Sequence, residues 1–336
     1  MNYFPRKIFI RKEIKKNEYR TPLTPTDCRY LISKGFKIFV ESSDKRCFSD
    51  KEYMNNGCII QNYYREGLII GLKEFDYDDD FMFKKNHLYF AHCYKNQENA
   101  RFILGSFKKN GGEILDYEYL VDQNGKRLIA FGFWAGFVGT ALALKQYYQK
   151  INTLPDIHNL EPIYDYNILL QELKDIDLKN ISIGIIGING RCGTGARFLL
   201  DKLNIPFTGY TKNNSLNNLI NHDIIVNCIF LSQHFNKTFI SMDNLHKFKK
   251  LKVISDVSCD ITAKNNPIKL NYKLTSFKDP IYHINENIDI ICIDNLPSLL
   301  PKDSSNEFSK KLTELILDDS IWNNLLQLFY KKINDL

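Results

Sequence analysis

The stretch "ISIGIIGINGRCGTGARFLLDKL", residues 181–203, decides the fold. It opens with an almost continuous apolar run, as in strands buried on both faces of a parallel sheet. A glycine-rich turn follows, then "GARFLLDKL", whose apolar residues recur at helical spacing. Gly187, Gly190 and Gly193 are spaced G-x-x-G-x-x-G, with Gly195 beyond. In a dinucleotide-binding strand–turn–helix, glycine permits the tight turn and lets backbone N–H groups approach a pyrophosphate at the helix N-terminus. The first gap is one residue wider than usual in that motif, so the loop alone fits a ligand-free turn as well as a coenzyme loop.

Downstream the alternation continues. "PFTGYT", "DIIVNCIF", "KVISDVS" and "IDIICIDNLPSLLP" read as strands, with helices expected at "SLNNLIN" and "SMDNLHKF". This βαβαβ spacing implies an α/β fold with a doubly wound parallel sheet. Upstream, "KIFIRKE", "FKIFVES", "LIIGLKE" and "LYFAHCY" read as strands. "TPTDCRYLISKG" (capped by Thr24 or Thr26, stopped by Gly35), "SDKEYMNNG" and "QENARFILGSFKKNGG" read as helices. "GEILDYEYLVD", "QNGK" and "RLIAFGF" suggest a β-hairpin. Residues 133–150 form a helix with Ala135, Gly136, Gly139 and Ala143 on one face, a pattern that permits close packing. Residues 151–179 read as a polar, partly ordered connection, and residues 304–330 as helical.

A chain of 336 residues implies two domains. Hydrophobic content of 44% and charged content of 25% are those of a globular protein. The net charge of +6 is dispersed, so it favours anionic ligands weakly and gives no nucleic-acid signature. No apolar run reaches the ~20 residues of a membrane span. The N-terminus lacks a signal-peptide pattern, and the eight cysteines form no C-x-x-C pair. We therefore expect a cytoplasmic protein with reduced thiols, no metal site and no membrane or nucleic-acid partner.

In the upstream half, polar groups gather where strands end. They are Arg20, Lys73, Glu74, His92, Lys95, Gln97, Glu118, Lys126 and Arg127. The carboxyl ends of parallel strands line one edge, so these groups can converge on a crevice. Arg recognises carboxylates bidentately, and Lys and His move protons once burial tunes them. The set suits a substrate with two or more carboxylates. Taken singly, Lys73–Glu74 also fits a solvated pair, Arg20 and Arg127 surface charges, and His92 a satisfied, half-buried histidine. After "PFTGY", Thr211 and Lys212 stand where an acid would bind the ribose hydroxyls. That pattern tolerates a 2′-phosphate, as in NADP, or marks lost adenosine recognition.

The motifs "EYRTPLTP", "GLKE", "FAHCYKNQ", "DYEYL", "KRLIAFGFWAGF", "GRCGTGA", "VNCIFLS", "SDVSCD" and "IDNLPSLLP" occur in this order. Over nearly its whole length the chain resembles the NAD-dependent, lysine-forming saccharopine dehydrogenases, with the alanine dehydrogenases as wider relatives. The resemblance implies two Rossmann-like domains with an active-site cleft between them. Residues 1–131 and 302–336 would form the substrate domain, and residues 132–301 the dinucleotide-binding domain. It implies a monomer of lysine biosynthesis that converts saccharopine, NAD and water reversibly to lysine, 2-oxoglutarate and NADH. Lys73 would be the base at the secondary amine and His92 the acid–base group for imine hydration, with Glu74 and Glu118 tuning them. Arg20, Gln97, Arg127, Phe131, Ser258, Cys259 and Asp260 would hold the substrate. Lys126, Gly190, Arg191, Thr211, Phe230, Val257, Ile293, Asp294, Asn295 and Leu296 would face the cofactor. Cys192 would meet Cys228, as a disulfide or as a thiol pair.

Four departures stand out. The family has Asp at Thr211 and Arg at Lys126. Its loop after Thr211 is longer, and it has a small-residue run before "NIDIICIDN". They leave open weaker NAD binding, a switch to NADP, or relaxed constraint. Two other functions compete: a non-catalytic ligand-binding homologue, and an NAD(P)-dependent imine reductase joining another amine to an oxo acid.

Overall fold

The computed structural model describes residues 4–64, 66–95, 97, 99–178, 180–211, 217–229, 237–261, 263–318 and 321–336. Two expectations, Lys212 and Phe230, fall outside the described residues. Contacts divide the chain into two units, Met1–Ala130 with Pro301–Leu336, and Phe131–Leu300.

The first unit alternates β1 (Lys7–Ile10), α1 (Pro25–Ser33), β2 (Lys37–Val40), α2 (Asp50–Asn55), β3 (Ile59–Ile60), β4 (Leu68–Ile70), β5 (His87–Tyr89), α3 (Ala100–Asn110) and β6 (Ile114–Asp116). Its sheet has the order β3-β2-β1-β4-β5-β6, with every pair parallel. Strand order reverses between β1 and β4, the position where open α/β sheets bind ligands. Thr24, not Thr26, caps α1: its hydroxyl accepts from Asp27 N at 3.3 Å, and Pro25 takes the first helical position. Gly35 follows that helix at φ +88°.

The strands of the expected hairpin do not form, and its pairing shrinks to one antiparallel bridge at the turn. β6 pairs in parallel with β5, and a 3-10 turn follows at Tyr117–Tyr119. Only Val121 and Arg127 then bridge, across a turn in which Lys126 N donates to Asp122 Oδ1 at 2.9 Å. "RLIAFGF" alternates like a strand, but a helix already begins at its Gly132.

The second unit contains α4 (Gly132–Ile151), α5 (Tyr166–Lys174), β7 (Ile183–Ile186), α6 (Arg191–Leu203), β8 (Phe207–Tyr210), β9 (Ile224–Asn227), β10 (Ile240–Ser241), β11 (Val253–Asp256), β12 (Ile268–Lys269), β13 (Tyr282–His283) and β14 (Asp289–Ile291). The main sheet runs β13-β14-β11-β9-β7-β8, parallel except for edge strand β13. Alternate residues serve opposite faces. Ile183, Ile185, Ile224, Val226, Val253 and Ile291 pack with α4, α5 and α6, while Ile186, Ile225, Ile254 and Ile290 face the other way.

That other face is covered by turns and by the small β10–β12 pair, not by the expected helices. Asn217–Asn221 and Leu245–Lys247 are 3-10 turns. Asn and Ser compete for backbone groups here: Asn244 Oδ1 accepts from Ser241 N at 2.8 Å. Conversely, the connection read as partly ordered contains α5, capped by Asp165.

The chain ends with α7 (Pro301–Ile316) and α8 (Trp322–Asn334), which return to the first unit. Thr24 N donates to Ser309 Oγ at 2.8 Å, and Trp322 lies 4.5 Å from Phe4 between ring centroids.

The helices α4 and α6 pack backbone on backbone. A Cβ on Gly136 would lie 1.8 Å from Cys192 O, and one on Gly195 would lie 1.8 Å from Phe133 O. Gly195→Ala must therefore push the helices apart. We expect it to destabilise the second unit by about 1–3 kcal/mol or more in urea denaturation. Gly105→Ala is the contrasting control, because a Cβ there meets nothing within 4 Å. On α3 it should be neutral or stabilising by up to ~1 kcal/mol.

Candidate functional site

In the first unit, four expected residues meet. Glu118 Oε2 lies 3.2 Å from Lys95 Nζ. Its Oε1 lies 3.6 Å from His92 Nδ1 and 3.8 Å from Arg127 Nη1. Burial pulls the Glu118 carboxyl upward, but the charges of His92, Lys95 and Arg127 outweigh it and hold the group below its ordinary range. Glu118 is thus an ionised carboxylate that binds three potential cations at the carboxyl edge of β5 and β6. His92 is held at φ +47°, a conformation that non-glycine residues rarely adopt. Gln97 is drawn into the same loop, its Oε1 accepting from Lys95 N at 2.7 Å.

Arg20 is buried and pairs bidentately with Glu18, at 2.7 Å through Nε and 2.6 Å through Nη2. Burial raises the Glu18 carboxyl, and Arg20 together with the Lys73 charge brings it below the usual value. Lys73 therefore sits within the field of Glu18, a partner the sequence did not reveal. Glu74 is half-buried, and its charge reaches Tyr77: burial pushes the Tyr77 hydroxyl up to about 12, and the Glu74 charge adds to that shift. Lys126 is an exposed turn residue.

In the second unit, Gly187 takes φ +82° after β7, and a Cβ there would meet Cys228 O at 2.8 Å. Gly190 is the N-cap of α6, and Gly193 lies so close to Gly187 O that a Cβ would stand 2.3 Å away. The glycines thus let the turn fold onto itself and bring the first N–H groups of α6, at Arg191 to Gly193, to the strand-order reversal between β7 and β9. This geometry fits the pyrophosphate of a dinucleotide. Thr211 directly follows β8 and is half-buried. Phe131 begins α4, its carbonyl accepting from Ala135 N at 3.1 Å.

Val257, Ser258, Cys259 and Asp260 follow β11. Beneath them Asp256 is buried and accepts from Tyr272 Oη at 2.6 Å and Asn227 Nδ2 at 2.8 Å. Ser258 Oγ donates to Ile229 O at 2.8 Å, and Cys259 turns at φ +54°. After β14, Asp294 is exposed and Asn295 half-buried, whereas the side chains of Ile293 and Leu296 belong to the core. Burial, with the nearby Cys192 charge adding to it, pushes the Cys228 thiol up.

Asp116, at the end of β6, went unnoticed in the sequence. Burial pushes its carboxyl up to about 7, although it accepts backbone N–H groups from Glu118 (2.9 Å) and Ala91. A folded-state pKa above the unfolded ~3.9 means stability that is full below pH ~4 and declines as the pH rises toward 7. Asp116 Oδ2 has no partner, so Asn can replace it without losing the bond from Glu118 N. We expect Asp116→Asn to shrink the fall in urea midpoint between pH 5 and pH 8. An equal fall in both proteins would show that Asp116 titrates as in the unfolded chain.

Comparison with known proteins finds family matches along both halves of the chain. Residues 9–138 match the alanine dehydrogenase/PNT N-terminal domain and residues 169–327 its C-terminal domain. The solved L-alanine dehydrogenase is similar in fold, with a TM-score of 0.73 at 14% identity, covering 97% of this chain and 99% of that one. The lysine-forming, NAD(+) saccharopine dehydrogenase of Neurospora crassa is 33% identical, covering 99% of this chain and 98% of its own. That of Schizosaccharomyces pombe is 36% identical over 92% of each. With identity at this level along the whole sequence, the chain belongs to the saccharopine dehydrogenase family.

Proposed function

We propose that this protein catalyses the reversible, NAD-dependent conversion of saccharopine and water to L-lysine and 2-oxoglutarate, as a cytoplasmic monomer of lysine biosynthesis. The observation that carries the reading is the meeting of His92, Lys95 and Arg127 on one ionised carboxylate, Glu118, at the carboxyl edge of a parallel sheet. Three free-acid groups on the substrate call for several cations, and this edge supplies them.

NAD, held at Gly190 and Arg191 at the start of α6, would supply the hydride acceptor for the carbon next to the secondary amine. Lys73 removes the proton from that amine nitrogen. His92 takes a proton from the water that adds to the imine carbon, returns it to nitrogen, and takes up the hydroxyl proton as the C–N bond of the carbinolamine breaks to give lysine and the oxo acid. Glu118 and Glu74 set the charge around these two groups. Arg20, Arg127, Gln97 and Phe131 hold the substrate, with Ser258, Cys259 and Asp260. Gly190, Arg191, Thr211, Val257 and the run 293–296 serve the coenzyme, with Lys126 and Phe230. Thr211 favours a second reading of the coenzyme. Without an acid at the end of β8, the 2′-phosphate of NADP is not repelled.

Lys73→Met and His92→Gln should each lower kcat about 100- to 10,000-fold with the melting temperature and NADH affinity retained. Near-full turnover in either would remove that residue from the chemistry. Thr211→Asp should raise the ratio of kcat/KM for NADH over NADPH at least tenfold. An unchanged ratio would mean that Thr211 does not face the ribose.

A further inference from the structure

The polar end of β1 holds two residues that the proposed chemistry does not use. Arg11 and Glu13 are both buried, their side chains 3% and 5% exposed, and they pair with each other at 3.3 Å. Neither faces solvent, so both must be matched from within. Their partners converge on one peptide segment. Glu13 Oε1 accepts from Leu72 N at 2.7 Å, and Glu13 Oε2 accepts from Lys73 N at 2.9 Å. Arg11 Nη2 donates to Lys73 O. The N–H and the C=O of Lys73 are thus both gripped by this ion pair.

The sequence around the pair is built for this contact. Arg11 N donates to Ile70 O at 3.0 Å, which continues the β1–β4 pairing by one residue and brings the guanidinium over Gly71. A Cβ on Gly71 would lie 2.3 Å from Arg11 Cζ, so only glycine lets the guanidinium lie against the backbone there. All of this occurs at the reversal of strand order, beside Glu18, whose carboxylate feels the Lys73 charge.

We propose that Glu13, together with Arg11, is the positioning residue of Lys73: the buried pair clamps the lysine's own peptide and so fixes where its side chain starts toward the substrate. The proposal rests on Lys73 being the base of the reaction. A carboxylate accepting two amide N–H groups, with a guanidinium on the neighbouring carbonyl, makes charge-assisted bonds stronger than neutral ones. The lysine side chain starts from that peptide, so a shift at its Cα moves the region its ammonium can reach and changes the rotamers that place it there. A misplacement of ~1 Å can cost about 100-fold in rate.

The test is a double-mutant cycle in the complete protein, with lysine, 2-oxoglutarate and NADH. Glu13→Gln keeps size and one acceptor but turns an amide NH2 toward a backbone N–H. Gly71→Ala attacks the clamp from the other side by displacing Arg11, leaving Glu13 in place. Each should lower kcat about 10- to 100-fold, move the limb of the pH–rate profile that is lost in Lys73→Met, and change KM for 2-oxoglutarate less than threefold. In the Lys73→Met background the same changes should cost less than threefold of the residual turnover, because the group they position is gone. Hydrogen exchange at the amides of residues 72 and 73 should quicken in both variants and supplies the readout if residual turnover is undetectable. Glu13→Gln with wild-type kcat and pH profile, full multiplicative losses in the Lys73→Met background, or unchanged exchange at these amides would overturn the proposal. If Lys73→Met itself turned over normally, the assignment of the base would fail instead, and the exchange data would still report on the clamp.

Discussion

A carboxylate buried at the end of a strand must be given donors, and in this protein backbone N–H groups of the loops that follow the strands are among them. Glu13 takes Leu72 N and Lys73 N. Asp116 takes Ala91 N, next to His92, and Glu118 N. Asp256 takes Ser258 N and Cys259 N. An unmatched buried polar group costs on the order of 1–3 kcal/mol, so each loop is tied to its carboxylate by the penalty of letting go. The tie explains how short loops can hold unusual backbone conformations such as those of His92 and Cys259. The cost stays visible in the raised carboxyl groups of Glu13, Asp116 and Asp256, each dominated by burial.

Parallel strands make this arrangement useful. Each strand presents its carboxyl end at the same sheet edge, so residues far apart in sequence become neighbours. His92 and Glu118 are brought together by the β5–β6 pairing, and the Lys73 peptide reaches Glu13 through β1–β4. In the second unit the same principle operates with close approach in place of charge. Gly187, Gly190 and Gly193 let a turn fold against its own backbone, and Gly136 and Gly195 let α4 support α6 directly. The anion-attracting end of α6 is thereby held firmly, as a pyrophosphate site requires.

Much of this was legible in the sequence where one signal dominates. Long apolar runs gave the strands, Thr24–Pro25 and Gly35 bounded the first helix, and small residues at helical spacing marked the α4 contact. Motif order carried the family. Legibility failed where burial decides the meaning of a residue. Nothing in "IRKEIKK" singles out its Arg11 and Glu13, yet both are buried and paired with each other. Asp116 and Glu18 look like ordinary surface acids until the sheet encloses them. The hairpin reading failed because alternation in "RLIAFGF" resembles a strand, while the strand before it already had a parallel partner. Asn217–Asn221 is short and rich in Asn, and Leu245–Lys247 is a single turn, so neither makes a stable α-helix.

The most direct test of the account is to incubate the purified, unmutated protein with lysine, 2-oxoglutarate and NADH, following absorbance and identifying the product by mass spectrometry. The account predicts NADH oxidation that requires both substrates, with saccharopine formed mole for mole. No oxidation by demonstrably folded protein, or a product built from a different amine, would contradict it.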